Sequence, residues 1–293
     1  MISGGRHTRL GDGCWRAWAA LGVLRWRRRR RRECLEAVRR CVEGRRPPVL
    51  VYLMSKVGST AVTDALADAG LNVFQVHMMN PDNIRRLRSK VRASGPAGFQ
   101  MDTDIIGATL FEGVIRPGHR AKIITMVREP IGRNVSFYFQ TLDALWGTHD
   151  AHERVTLSRL LGEFHDRFDH RRALDWFDIE FKPVLGVDVY DYEFPRGAGH
   201  RRIDAGRYEI LVMRSDLEDG AKAKCVEEFL GVRGLSLAPK NVSSLKPYGA
   251  TYRKFLDALK LPEAYVEDML GSKYTRHFFT PEEVAALRAR WTA

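Results

Sequence analysis

The chain has 293 residues, 44% of them hydrophobic and 29% charged, with a formal net charge of +12. This is the composition of a globular protein with length enough for one large domain, and it excludes a disordered or fibrous chain. The charge alone would suggest a nucleic-acid binder, but its placement argues otherwise. Residues 1–46 hold 14 Arg against 4 acids, a net +10, while the other 247 hold 34 basic and 32 acidic groups, a net +2.

The basicity is therefore a tail property, and no nucleic-acid partner is expected. A tail with RRRRRR at 27–32 can lie on an anionic membrane surface as a peripheral segment, or wrap onto the domain as a solvated basic helix. The stretch CWRAWAALGVLRW is too short for a membrane span and is interrupted by Arg16. It lacks a clean small-residue cleavage site, so no signal peptide is read. Four cysteines (Cys14, Cys34, Cys41, Cys225) form no C-x-x-C pair, which argues against a disulfide framework or a zinc site and for a reducing compartment. The expected location is the cytoplasm, with the tail able to reach the inner face of the membrane.

Pro47-Pro48 marks the junction between the tail (1–46) and a domain over 47–293. VLVYLM (49–54) reads as a buried strand, with its helix over 59–69. LNVFQVH (71–77) is a second strand, followed by a helix from Pro81 to about Arg92. AGFQMD (97–102) reads as a third short strand, with a helix over 104–115. AKIITMV (121–127) is a β-branched strand, and a helix follows from Pro130. Residues 155–181 read as mostly helical and 186–194 as a short extended insertion. RYEILVM (207–213) is the last strand, with Ser215 as cap of a helix over 216–230. Further helices start near Tyr248, Pro262 and Pro281. The alternation predicts an α/β fold of three layers, P-loop-type, with a central parallel sheet flanked by helices and a helical C-terminal region.

Ligands of open parallel sheets bind beyond the carboxyl ends of the strands. The first strand runs into SKVGST, yet no G-x-x-x-x-G-K-[ST] is present. Gly58 lets the backbone approach an anion, and the amides of Gly58, Ser59 and Thr60 point out of a helix N-terminus. Lys56 can reach an atom bridging two charged groups. The plain alternative is an ordinary strand-turn-helix with Ser59 as N-cap. The strand at 121–127 ends in REPIGRNVSFYF. A kinase of this fold wants a carboxylate at such a strand end to hold Mg²⁺. Arg128 stands there instead, an anion clamp unless it pairs with a structural acid. Ser136, eight residues on, falls near the second turn of the following helix. A second anion is implied.

SKVGST after one strand and VREPIGRNVSFY after a later one resemble the two phosphosulfate-binding signatures of sulfotransferases. HMMNP (77–81), DWFDIEFKPVLGVDVYDYEF, NVSSLKPYGATYRKFLDALKLPE and HFFTPEEVAALRARW resemble the capsular polysaccharide synthesis proteins, a bacterial branch of carbohydrate sulfotransferases. The resemblance spans about residues 48–291. It implies that Lys56, Val57, Gly58, Ser59 and Thr60 hold the 5′-phosphosulfate of 3′-phosphoadenosine 5′-phosphosulfate (PAPS). It implies that Arg128 and Ser136 hold the 3′-phosphate, without a metal, and that the acceptor is a carbohydrate or glycolipid hydroxyl.

The transfer also needs a base. His77, at the carboxyl end of the second strand, is the first choice, with Asp102 and Asp104 as rivals. His165 and His170 read as solvated. Asn241, Ser244 and Lys246 form a polar loop that could close over a nucleotide, though the family's R-K-G pattern is missing there. Trp176, Phe177 and Tyr190 are candidate sugar platforms, with core packing the plainer role. Two further readings are a nucleotide kinase of the same fold and a non-catalytic, membrane-peripheral assembly factor.

Overall fold

The computed structural model describes residues 10–44, 47–94, 101–237 and 246–292. A long helix, α1 (Leu10–Glu43), precedes the domain. Its second half is packed against the body: Cys34, Val38 and Cys41 are buried, and Val38 and Leu35 lie over Gly113. Trp26 and most of the arginines at 25–32 face solvent, but Arg27 turns inward to Asp104. Among the described residues no helix is long and apolar enough to cross a membrane.

The domain then runs β1 (Val49–Tyr52), α2 (Ser59–Asp68), β2 (Val73–Val76), α3 (Pro81–Ser94) and α4 (Met101–Leu110). A π-helical turn, Phe111–Ile115, leads to β3 (Ala121–Val127) and α5 (Pro130–Trp146). Three short helices follow, α6 (Ala151–Arg154), α7 (Leu157–Asp166) and α8 (Arg172–Trp176). A second π-helical turn, Phe177–Phe181, joins α8 to α9 (Lys182–Leu185). Strands β4 (His200–Ala205) and β5 (Tyr208–Arg214) precede α10 (Asp219–Leu230). Helices α11 (Gly249–Ala258), α12 (Glu263–Leu270), α13 (Lys273–Phe278) and α14 (Pro281–Thr292) complete the chain.

The five strands form one sheet in the order β2-β1-β3-β5-β4. The first four run parallel, and β4 pairs antiparallel with β5 at the edge. Strands β1, β3 and β5 are buried almost throughout, as a sheet covered on both faces requires. The chain passes from β1 to β2 on one side and then crosses to β3 on the other. The strand order thus reverses between β1 and β3, and the crevice beyond their carboxyl ends is the expected ligand position.

Three sequence expectations need correction. The third strand expected at 97–102 does not hold at its end, where Met101 and Asp102 belong to α4; residues 97–100 lie outside the described residues. The extended insertion at 186–194 is irregular, with one 3₁₀ turn at Val189–Asp191. Ser215 is not a cap: α10 begins at Asp219 with Glu218 before it, while the Ser215 amide bonds the Val127 carbonyl and ties β5 to β3. The edge strand β4 was not expected, because HRRIDA is polar. Only Ile203 turns fully inward, and Gly206, at φ 71°, makes the hairpin.

Candidate active site

The β1–α2 loop is held by its apolar residue and displays its polar ones. Val57 is fully buried and anchors the loop in the core. Lys56 (φ 74°) and Gly58 (φ 84°) both take left-handed conformations. Glycine pays little for this and lysine pays strain, a pattern typical of functional loops. Gly58, not Ser59, is the N-cap of α2, and no side chain caps that helix. Its first amides therefore keep their affinity for an anion. The Ser59 hydroxyl is buried and accepts a bond from Gln75 Nε2 at 2.9 Å, fastening the loop to β2. Thr60 is half-buried beside it.

The neighbouring α5 N-terminus differs. Glu129 caps it, accepting from the amides of Ile131 (3.0 Å) and Gly132 (2.7 Å). The first amides of α5 are thus engaged by a carboxylate, whereas α2 has no side-chain cap. Arg128 donates from Nη1 to the Lys56 carbonyl at 3.0 Å, and Tyr274 brackets the Arg128 backbone on both its amide and its carbonyl. Arg133 donates from Nε to the Ser55 carbonyl at 3.1 Å. Ser136 is buried in the second turn of the same helix. The β3 end and the β1 loop are thus one unit.

Charge is the distinguishing property of this unit. Burial pushes the Lys56 ammonium down to about 8, and the charges of Lys246, Arg128 and Arg133 add to the shift. Burial likewise pushes Arg133 down to about 9. Among the described residues, none of these four cations has a carboxylate within ion-pair distance, although the protein pairs many of its other basic residues. Lys246 was a minor expectation, yet it stands near enough to act on Lys56. Its loop companions Asn241 and Ser244 lie outside the described residues. Arg133 was missed by sequence reasoning. It lies on the side of α5 opposite the apolar stripe of Ile131, Val135, Tyr138 and Leu142. That side meets the β1 loop at Ser55, and α8, remote in sequence, packs against the same helix.

His77 leaves β2 beside the loop. Its Nδ1 lies 2.9 Å from the Leu53 carbonyl, so Nδ1 carries the proton and Nε2 is left as acceptor. Burial lowers its pKa, with Arg133 adding to the effect and the Leu53 bond opposing it. The ring is neutral near pH 7. The segment behind it is fastened by Glu180 in the second π-helical turn, a setting frequent at functional sites. Its buried carboxylate accepts from Tyr52 Oη (2.8 Å), Asn83 Nδ2 (2.6 Å) and the backbone amides of Met79 (2.5 Å) and Asn80 (2.8 Å). Trp176 Nε1 donates to the His77 carbonyl at 3.4 Å.

Asp104 is engaged elsewhere. Arg27 of α1 and Arg88 of α3 both bind its Oδ2, at 2.8 and 2.6 Å, making it the joint between tail helix and domain. Asp102 lies on the first turn of α4. His165 is exposed, but His170 is not solvated as expected: Nε2 lies 2.6 Å from the Phe164 carbonyl, and Nδ1 lies 2.9 Å from Tyr265 Oη. Trp176 and Phe177 pack in the core, and Tyr190 packs against it with Lys273 Nζ 3.8 Å from its ring centroid. Among the described residues no group of three His, Cys, Asp or Glu side chains is arranged to hold a metal.

The His77 segment is also held by close packing. A Cβ on Gly107 of α4 would fall 1.8 Å from the Met78 carbonyl oxygen, a backbone atom that has nowhere to go. Gly107→Ala should therefore destabilise the fold by about 1–3 kcal/mol, the usual cost of overpacking, read as a lower urea midpoint with an unchanged m-value. An unshifted midpoint would contradict this contact.

Comparison with known proteins gives one family. A model of the family described as "Putative capsular polysaccharide synthesis protein" matches residues 154–280. The match covers α7 to α13, including Trp176, Glu180 and β5, and leaves out the β1 loop and the β3 end. No curated protein and no solved structure matches the chain. The capsular part of the sequence resemblance is thereby supported over the matched segment.

Proposed function

We propose that this protein is a sulfotransferase that moves a sulfuryl group from PAPS to a hydroxyl of a glycan or glycolipid, in the synthesis of a capsular or other cell-surface polysaccharide. The observation that carries this reading is the group of buried or half-buried cations, Lys56, Arg128 and Arg133 with Lys246, at the strand-order reversal and without acid partners. Mutually repelling charges of this kind need an anion to be stable. A donor carrying a phosphosulfate and a separate 3′-phosphate supplies two. The capsular family match supports the carbohydrate part of the proposal.

The uncapped amides of α2 and Lys56 hold the phosphosulfate, and Arg128 with Ser136 holds the 3′-phosphate. As the acceptor oxygen bonds to sulfur, the bond between sulfur and the bridging oxygen breaks. Lys56 neutralises the charge that grows on that oxygen. The hydroxyl proton passes to Nε2 of His77, and 3′-phosphoadenosine 5′-phosphate leaves.

Binding to the native state alone stabilises it. The product 3′-phosphoadenosine 5′-phosphate should therefore raise the melting temperature in the presence of EDTA, and more than adenosine 5′-phosphate does. Equal or greater stabilisation by ATP with Mg²⁺ would favour a kinase and sink the sulfotransferase reading. Tight nucleotide binding with no labelled sulfate reaching any glycan would leave a non-catalytic assembly factor.

A further inference from the structure

Arg133 is 2% exposed, and among the described residues no carboxylate pairs with its charge. Its Nε serves the Ser55 carbonyl and its Nη1 the Asn134 side chain at 3.1 Å, while its guanidinium lies 4.5 Å from the Phe137 ring centroid. These are neutral partners. Asp169 acts on it only from beyond ion-pair distance, and the charges of Arg172 and Arg128 repel it more strongly. An unpaired buried charge is costly, and a protein that needed only a bond to Ser55 would be more stable with a neutral donor. The residue also sits where the reaction would take place. It touches the loop immediately before Lys56, and its charge is felt by both Lys56 and His77.

We propose that Arg133 is a binding residue for the transferred group, a buried guanidinium that contacts the sulfate-type anion lying between Lys56 and His77. The proposal rests on reading the β1 loop as an anion site and deepens the sulfotransferase reading by adding a third cation to it. Arg128 serves the 3′-phosphate side, whereas Arg133 serves the group that moves. A planar, weakly hydrated fork suits a buried tetrahedral anion better than an ammonium does.

The test uses the full chain, with inorganic pyrophosphate and sulfate as probes, followed by melting temperature. Wild-type protein should be stabilised by both anions. Arg133→Met should melt at or above the wild-type temperature in anion-free buffer, because an unpaired charge has been removed. It should also bind pyrophosphate about tenfold or more weakly. Arg133→Lys should retain part of that affinity, and guanidinium ion should restore part of the turnover of Arg133→Met. Three results would overturn the proposal: a wild type that neither anion stabilises, an Arg133→Met response to pyrophosphate equal to the wild type's, or an Arg133→Met protein that fails to fold even in sulfate. If pyrophosphate binding depends on Arg133 but 3′-phosphoadenosine 5′-phosphate does not bind, the donor assignment falls and the anion site stands.

Discussion

Lys56→Ala should lower kcat by about 10²–10³-fold, the usual effect of removing one group aimed at developing negative charge. Affinity for 3′-phosphoadenosine 5′-phosphate should fall much less. The reason is geometric. Lys56 stands on a left-handed turn whose carbonyl is held by Arg128, and its ammonium lies near enough to Arg128, Arg133 and Lys246 to feel their charges. Its contact strengthens as the bridging oxygen gains charge, which separates turnover from ground-state binding. A pH signature accompanies it. Burial and the neighbouring cations hold Lys56 at about 8, so in the free protein it loses its proton as pH rises through that value. kcat/KM, which reports ionisations of the free protein, should decline across pH 8 in the wild type and stay flatter there in Lys56→Ala. Equal losses in binding and turnover would show that Lys56 only holds the nucleotide.

His77→Ala should lose about 10²–10⁴-fold in turnover with nucleotide binding nearly unchanged, the range expected for a general base. The Leu53 carbonyl fixes the tautomer, Trp176 and Glu180 fix the segment, and the lowered pKa keeps Nε2 unprotonated. Because the folded pKa lies below the ordinary histidine value, the acid limb of kcat/KM should also lie below it, with full activity retained at pH 7. Asp104→Asn offers the contrast. It removes the partner of Arg27 and Arg88, so its main effect should be on stability. If His77→Ala keeps most of its activity while the Asp104 variant is folded and inactive, the base has been misassigned.

Much of the fold could be read along the chain because the signals were local. The hydrophobic runs at β1, β3 and β5 mark buried parallel strands, and Pro130, Pro262 and Pro281 mark helix starts at the N-terminal positions where proline is tolerated. The places of the SKVGST loop, between β1 and α2, and of Arg128, at the end of β3, were also legible, since an apolar run that ends in a polar turn marks where a strand stops. Tertiary structure decided the rest. The polar strand β4 exists only because β5 offers it an edge. Helix α4 takes in Met101 and Asp102, the end of a segment whose short apolar run reads equally well as strand. Asp104 and Asp102 look alike in MDTD, but two arginines from distant helices close on Asp104. Arg133 reads as a solvent-facing residue of an amphipathic helix until the β1 loop packs onto it at Ser55, and Glu180 reads as one more surface acid until the β2–α3 loop donates its amides to it. Periodicity reports the face a helix turns to its own sheet. It carries no information about a second face that meets residues distant in sequence, and in this protein Arg133 on that second face is a buried charge bonded to the Ser55 carbonyl.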